Sequence, residues 1–196
     1  LAMIVASLDR CMTSRHCRAI VVRGEAGIGK TRLVDAVRSA AIERGVGVHS
    51  AQVFDFGQSP GRRPITALAL SLLGIRTDAP AAERKSAVQR MAALRGGSID
   101  QIIFLSDLID APLEAELAAL EKAMEVATRQ RGRTLALAQI IESAAQRSPQ
   151  LLLVEDVHWA DSDELARLGE IAAVVANCQI LFIMTTRPEG DPISAS

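Results

Sequence analysis

Gly24-Glu25-Ala26-Gly27-Ile28-Gly29-Lys30-Thr31 is the stretch on which the reading of this chain turns. It fits the pattern G-x-x-x-x-G-K-[ST], a loop that holds phosphate groups. Its flanks supply the context the pattern needs. Before it, Ala19-Ile20-Val21-Val22 is a short β-branched run that reads as a buried strand. After it, Leu33, Val34, Val37, Ala40 and Ala41 recur at helical spacing. Strand, glycine loop and helix follow one another without interruption.

Each position of the loop has a physical reason. Glycines at 24, 27 and 29 let the backbone turn tightly and present bare N–H groups to phosphate oxygens. The helix that follows adds its positive dipole end and its unpaired N–H groups. Lys30 then reaches the β- and γ-phosphates, and the Thr31 hydroxyl is the candidate Mg²⁺ ligand.

Further along, Leu151-Leu152-Leu153-Val154 is an apolar run that ends abruptly in Glu155-Asp156. A buried strand delivering two carboxylates is the usual second half of a phosphate-loop site: one holds Mg²⁺ and the other polarises the attacking water. Ile180-Leu181-Phe182-Ile183-Met184 reads as a further strand, leading into Thr185-Thr186-Arg187-Pro188. In a parallel sheet these strand ends line one edge, where open α/β folds bind their ligands. Arg187 is then placed to approach a γ-phosphate; the competing reading is a solvated loop arginine.

The segment between the two halves reads as helical. His49 to Phe54 forms the second strand, and a turn-rich loop covers 57–64, with 57–63 read as surface connection rather than nucleotide edge. Helices follow from about Ile65 to Leu73, then from Pro80 with Val88, Met91 and Leu94 on one face. Ser98 and Gln101 make a capping box before Ile102, Ile103 and Leu105. Pro112 opens a run with Leu113, Leu117, Leu120 and Met124, and Thr134 opens the last, carrying Leu137, Ile140 and Ile141. Arg129, Arg131 and Arg133 fall in the loop between these two.

Composition narrows the classes of function. With 196 residues, 49% of them hydrophobic, the chain is long enough for one α/β domain with a substantial core. Its longest apolar stretches are strand-sized, far short of a membrane span. The apolar start, Leu1 to Leu8, has no basic segment before it and reads as a helix rather than a signal peptide. A first residue other than Met suggests an excised piece of something longer. Cys11, Cys17 and Cys178 have neither metal-ligand nor catalytic spacing, so idle thiols in the reducing cytoplasm are expected. The net charge of −1 and 3% aromatics, with no Tyr, give no footing for nucleic acid. Only three of the 22 basic residues are lysines (Lys30, Lys85 and Lys122), a bias ascribed to genome composition.

Taken together, the octapeptide, Leu151 through Asp161 (…Glu155-Asp156-Val157-His158-Trp159-Ala160-Asp161) and Thr185-Thr186-Arg187-Pro188-Glu189 resemble the STAND branch of AAA+-related P-loop ATPases. The resemblance is closest to domains in large LuxR-type transcriptional regulators and in bacterial class III adenylate cyclase fusions. It implies a three-layer α/β P-loop core, mainly parallel, spanning 1–196 with a helical insertion at about 64–133. It makes Gly24, Glu25, Ala26, Gly27, Ile28, Gly29, Lys30, Thr31 and Arg32 the nucleotide-binding (Walker A) residues. Thr31 and Glu155 become the metal residues, and Lys30, Asp156 and Arg187 the catalytic ones, Arg187 distinguishing ATP from ADP. The family commonly has Asp first in the acidic pair. Glu155 stands there in this chain, so the roles of Glu155 and Asp156 are open to exchange.

The same resemblance sets expectations about partners. The cofactors are ATP and Mg²⁺, and ATP over GTP rests on the resemblance alone. Lid, helical-repeat and output domains are expected downstream, with no direct nucleic-acid contact by this domain. A further strand beside Ala19–Val22 and the lid are expected to be missing, leaving an edge open to self-association and making ATP binding and turnover weak. His158 either lies near the γ-phosphate or passes its state to a neighbouring domain; in the other reading His158 and Trp159 fill the turn after the strand, with Trp159 covering the sheet. Asp161 is expected to cap the next helix, with Glu164 closing a capping box. The expected function is a Mg²⁺-dependent ATPase switch; the alternative is a regulatory module that binds nucleotide without significant turnover.

Overall fold

A computed structural model describes residues 1–14, 16–54, 63–94 and 96–189. In chain order the elements are α1 (Ala2–Thr13), β1 (Arg18–Arg23), α2 (Lys30–Glu43), β2 (Gly47–Gln52), α3 (Pro64–Leu72), α4 (Ala81–Ala93), α5 (Ile99–Leu108), α6 (Ala115–Ala123), α7 (Val126–Ala145), β3 (Gln150–Glu155), a 3₁₀ turn (Val157–Trp159), α8 (Ser162–Val174) and β4 (Ile180–Thr186). They fall into two compact units, Leu1–Gln58 with Glu142–Ser196, and Ser59–Ile141.

The first unit is built on a parallel sheet of order β1-β4-β3-β2. The registers Ile20↔Ile183, Leu153↔Ile183 and Ser50↔Leu153 sort the side chains into two faces. On one face Leu151, Leu153, Leu181 and Ile183 pack with Ile4, Leu8 and Cys11 of α1 and Val34, Val37 and Ala41 of α2. On the other, Leu152, Val154 and Phe182 are equally buried. Runs apolar on both faces are what a sheet with two helical layers requires, and β3 and β4 have them. The step from β1 to β2 and the return from β3 to β4 run in opposite directions across the sheet. Right-handed crossovers therefore put α2 and α8 on opposite faces. The fold is the mainly parallel α/β class expected from the sequence.

The second unit is helical. α4 and α5 are tied by Arg84, whose guanidinium donates to the Ile109 and Thr77 carbonyls at 2.8 and 2.6 Å. Ser98 Oγ accepts from the Gln101 N–H as expected of a cap.

Several local expectations are corrected. The second strand spans Gly47–Gln52, two residues earlier than read, and leaves Phe54 exposed beyond it. Leu94 is exposed, off the buried face made by Val88 and Met91. The run opened by Pro112 becomes a helix only at Ala115 and buries none of its residues. The last helix begins at Val126 rather than Thr134, so Arg129 and Arg133 are helical and pair with Glu121 and Asp107 at 4.0 and 3.7 Å. Gly132 lies inside α7, where a Cβ would sit 2.3 Å from the Phe104 ring; glycine admits the close approach. Of the loop at 57–64, residues 57–62 lie outside the described ones.

Burial pushes the Cys11 and Cys17 thiols up to about 11, and raises Cys178 as well, so none supplies thiolate at neutral pH. No helix among the described residues is long and apolar enough to cross a membrane.

Candidate functional site

All four strands point the same way, so β1, β4 and β3 deliver their following residues to one edge of the sheet. β1 opens directly into residues 24–29, and α2 begins at Lys30. The loop is anchored to its neighbour: the Gly24 N–H donates to the Thr186 carbonyl of β4 at 3.3 Å. Gly27 (φ 79°) and Gly29 (φ 102°) hold left-handed conformations, and Gly29 is the N-cap of α2. With glycine there, the cap supplies no side-chain acceptor, so the first N–H groups of α2 remain free to meet an anion.

Lys30 Nζ donates to the Gly24 and Glu25 carbonyls at 2.6 and 2.9 Å. The ammonium is thus held over the loop by two of its own carbonyls. Glu25, Ala26, Ile28, Thr31 and Arg32 are exposed, as the mouth of a phosphate-binding loop requires.

β3 carries the carboxylates to the same edge. Glu155 lies on the face that packs against α2, where Arg38 approaches it at 3.7 Å. Arg38 also donates to Ser50 Oγ at 3.2 Å and to Asp35 Oδ1 at 3.1 Å. Burial pushes the Glu155 carboxyl above the usual carboxylate range; Arg38 opposes that shift, and Asp156 and Asp35 add to it. Asp156 adopts a left-handed backbone (φ 60°, ψ 42°) that turns the chain sharply off the strand. Its N–H donates to Thr185 Oγ1 at 3.0 Å and its Oδ2 accepts from Gln52 Nε2 at 3.2 Å. Both neighbouring strands therefore fix it.

β4 lies between β1 and β3, so Arg187 leaves the sheet between the glycine loop and the acidic pair. Its guanidinium lies over the Trp159 ring, 5.9 Å from the centroid. Val157 of the 3₁₀ turn is buried, whereas Trp159 is 42% exposed. Asp161 caps α8 as expected, its Oδ1 accepting from the Glu164 N–H at 2.7 Å.

Sequence reading passed over Arg38, Gln52 and Thr185, which hold the acidic pair. Arg38 belongs to no motif. The other two become neighbours of the pair only through strand register, Gln52 opposite Glu155 and Thr185 one step past the Val154↔Met184 pair.

The donor set fits a magnesium–triphosphate ligand: bare N–H groups, an ammonium over the loop, one hydroxyl and one carboxylate on adjoining elements. Mg²⁺ is ordinarily held by one or two protein oxygens, its other ligands being water and phosphate.

The ionisation of Glu155 carries a prediction about the unliganded protein. The folded chain holds that proton more tightly than the unfolded chain. Stability therefore falls as pH rises from the ordinary glutamate value through the raised folded one. Glu155→Gln removes the penalty. The thermal midpoint at neutral pH is expected to rise, with the gain shrinking as the pH falls toward the ordinary glutamate range. A midpoint that falls at neutral pH would show that the Arg38 pair outweighs the burial.

A glycine loop and an acidic strand end on one edge of a parallel sheet define a P-loop nucleotidase core. Residues 1–183 match the family described as AAA ATPase domain, and the chain belongs to that family. It is also similar to Uncharacterized protein R02095 of Rhizobium meliloti (strain 1021), at 28% identity over 173 residues. The match takes in 86% of this chain and 16% of that protein, so the chain spans a small part of its relative's length.

Proposed function

We propose that this chain is a Mg²⁺-dependent ATP-binding and hydrolysing switch domain of a larger cytoplasmic signalling or transcription regulator. The observation that carries the reading is the delivery of residues 24–31, Glu155-Asp156 and Arg187 to a single sheet edge by three adjacent parallel strands.

The residues divide the work as follows. The loop N–H groups and the start of α2 bind phosphate oxygens, and Lys30 exchanges its two carbonyl partners for the β- and γ-phosphates. Thr31 and Glu155 would hold Mg²⁺, which supplies charge neutralisation to the phosphate oxygens when bound. Asp156, fixed by Gln52 and Thr185, orients the attacking water and takes its proton as the γ-phosphoryl bond breaks, yielding ADP and phosphate. Arg187 answers to the charge that distinguishes ATP from ADP. Its differential contacts bias the domain between two states.

The family assignment and the small share of the relative's length covered support a role within a longer chain, with lid, helical-repeat and output domains as partners. The edge of β1, which pairs only with β4 among the described residues, belongs to the same proposal as a surface for self-association. One observation favours the alternative of nucleotide binding without turnover: the free protein already engages Asp156 with Gln52 and Glu155 with Arg38. Phosphate release from Mg·ATP by the purified protein separates the two readings. Steady release supports the switch, and binding without release supports the module.

A further inference from the structure

We infer that Trp159 is the resting platform of the Arg187 guanidinium, and that ATP bound at the glycine loop draws Arg187 off it. The inference rests on the reading of this edge as an ATP site and names how its occupancy is sensed.

The Arg187 Nε is buried and has no hydrogen-bond partner, and among the described residues no carboxylate or carbonyl accepts from its guanidinium. The contact with the Trp159 ring is what the structure gives that charge. Cation–π attraction is weak beside the charge-assisted, bidentate hydrogen bonds a guanidinium forms with phosphate. An arginine stored this way leaves readily for an arriving phosphate, whereas one locked in a buried ion pair would not.

The platform is itself tied to the site. The backbone N–H of Trp159 donates to the backbone carbonyl of Asp156 at 3.1 Å, closing the 3₁₀ turn that joins the two residues. On its other contact the indole meets His158, with ring centroids 4.8 Å apart and planes tilted by 40°. Departure of Arg187 therefore alters an aromatic pair on the very turn that carries Asp156 away from β3. Trp159 acts through Arg187 and is a positioning residue, not a catalytic one.

The chain provides its own reporter, since Trp159 is its one tryptophan and it has no tyrosine. Emission of the unliganded protein is compared with that of Arg187→Ala, and of Arg187→Gln as a second variant that keeps a long polar side chain. Wild-type protein is then titrated with Mg·ATP and with Mg·ADP, recording binding heat and emission on the same samples. Both variants are expected to shift the emission of the unliganded protein. Mg·ATP is expected to move wild-type emission toward the variants' position with the calorimetric midpoint, while Mg·ADP binds without that shift. Unchanged emission in both variants overturns the inference. So does Mg·ATP heat without an emission shift, or an equal shift with Mg·ADP; the ATP site survives each of these. Absence of heat with either nucleotide overturns the ATP site and the inference together.

Discussion

Lys30→Ala is expected to weaken Mg·ATP binding roughly 100-fold, the loss of charge-assisted hydrogen bonds worth about 3 kcal/mol. Lys30 is the cation suspended over the loop. Its ammonium is held in the free protein by the Gly24 and Glu25 carbonyls, which lie where water reaches them once the side chain is gone. The fold should therefore survive the change, with a stability loss within about 1 kcal/mol. Calorimetry gives the affinity and thermal denaturation the stability. Unaltered affinity in a folded variant would remove the glycine loop from the account of binding.

Asp156→Asn should separate binding from chemistry. Phosphate release is expected to fall about 10²- to 10⁴-fold, the usual contribution of a positioned general base, while the dissociation constant stays within a few-fold of wild type. The substitution is conformationally mild. Asparagine tolerates the left-handed backbone at φ 60°, and its side-chain oxygen still accepts from Gln52. Alanine at this position would add backbone strain and confuse the result. Release that continues at the wild-type rate would take water activation away from Asp156 and return the choice between it and Glu155.

The legible part of the fold was the part governed by local patterns. The apolar runs at 151–154 and 180–184 are continuous because both sheet faces are covered there, and they form β3 and β4; the run at 19–22 forms β1 as read but is at most half-buried, because that strand lies at the sheet edge. Caps at Ser98 and Asp161 were legible because a side-chain oxygen three residues before its N–H partner is a purely local arrangement. What escaped depends on neighbours distant in sequence. The helix read from Thr134 begins at Val126 and runs through Gly132, whose missing Cβ leaves the space that Phe104 occupies. Leu120 and Leu94 read as core by spacing, yet both are exposed.

The candidate site divides along the same line. The glycine loop and the acidic pair are contiguous in sequence and could be read there. The clamp around them could not. Arg38 reaches Glu155 from α2, Gln52 reaches Asp156 from β2 and Thr185 reaches it from β4. The Gln52 and Thr185 meetings are set by sheet order and register, and the Arg38 meeting by the packing of α2 on the sheet, rather than by any spacing along the chain.

The central claim is that three parallel strand ends assemble one Mg·ATP site. Calorimetric titration of the wild-type protein with Mg·ATP tests it most directly, repeated with the metal withheld by a chelator. The account predicts a single site per chain whose affinity drops when Mg²⁺ is withheld. No heat from a protein shown to be folded, or binding indifferent to the metal, would contradict it.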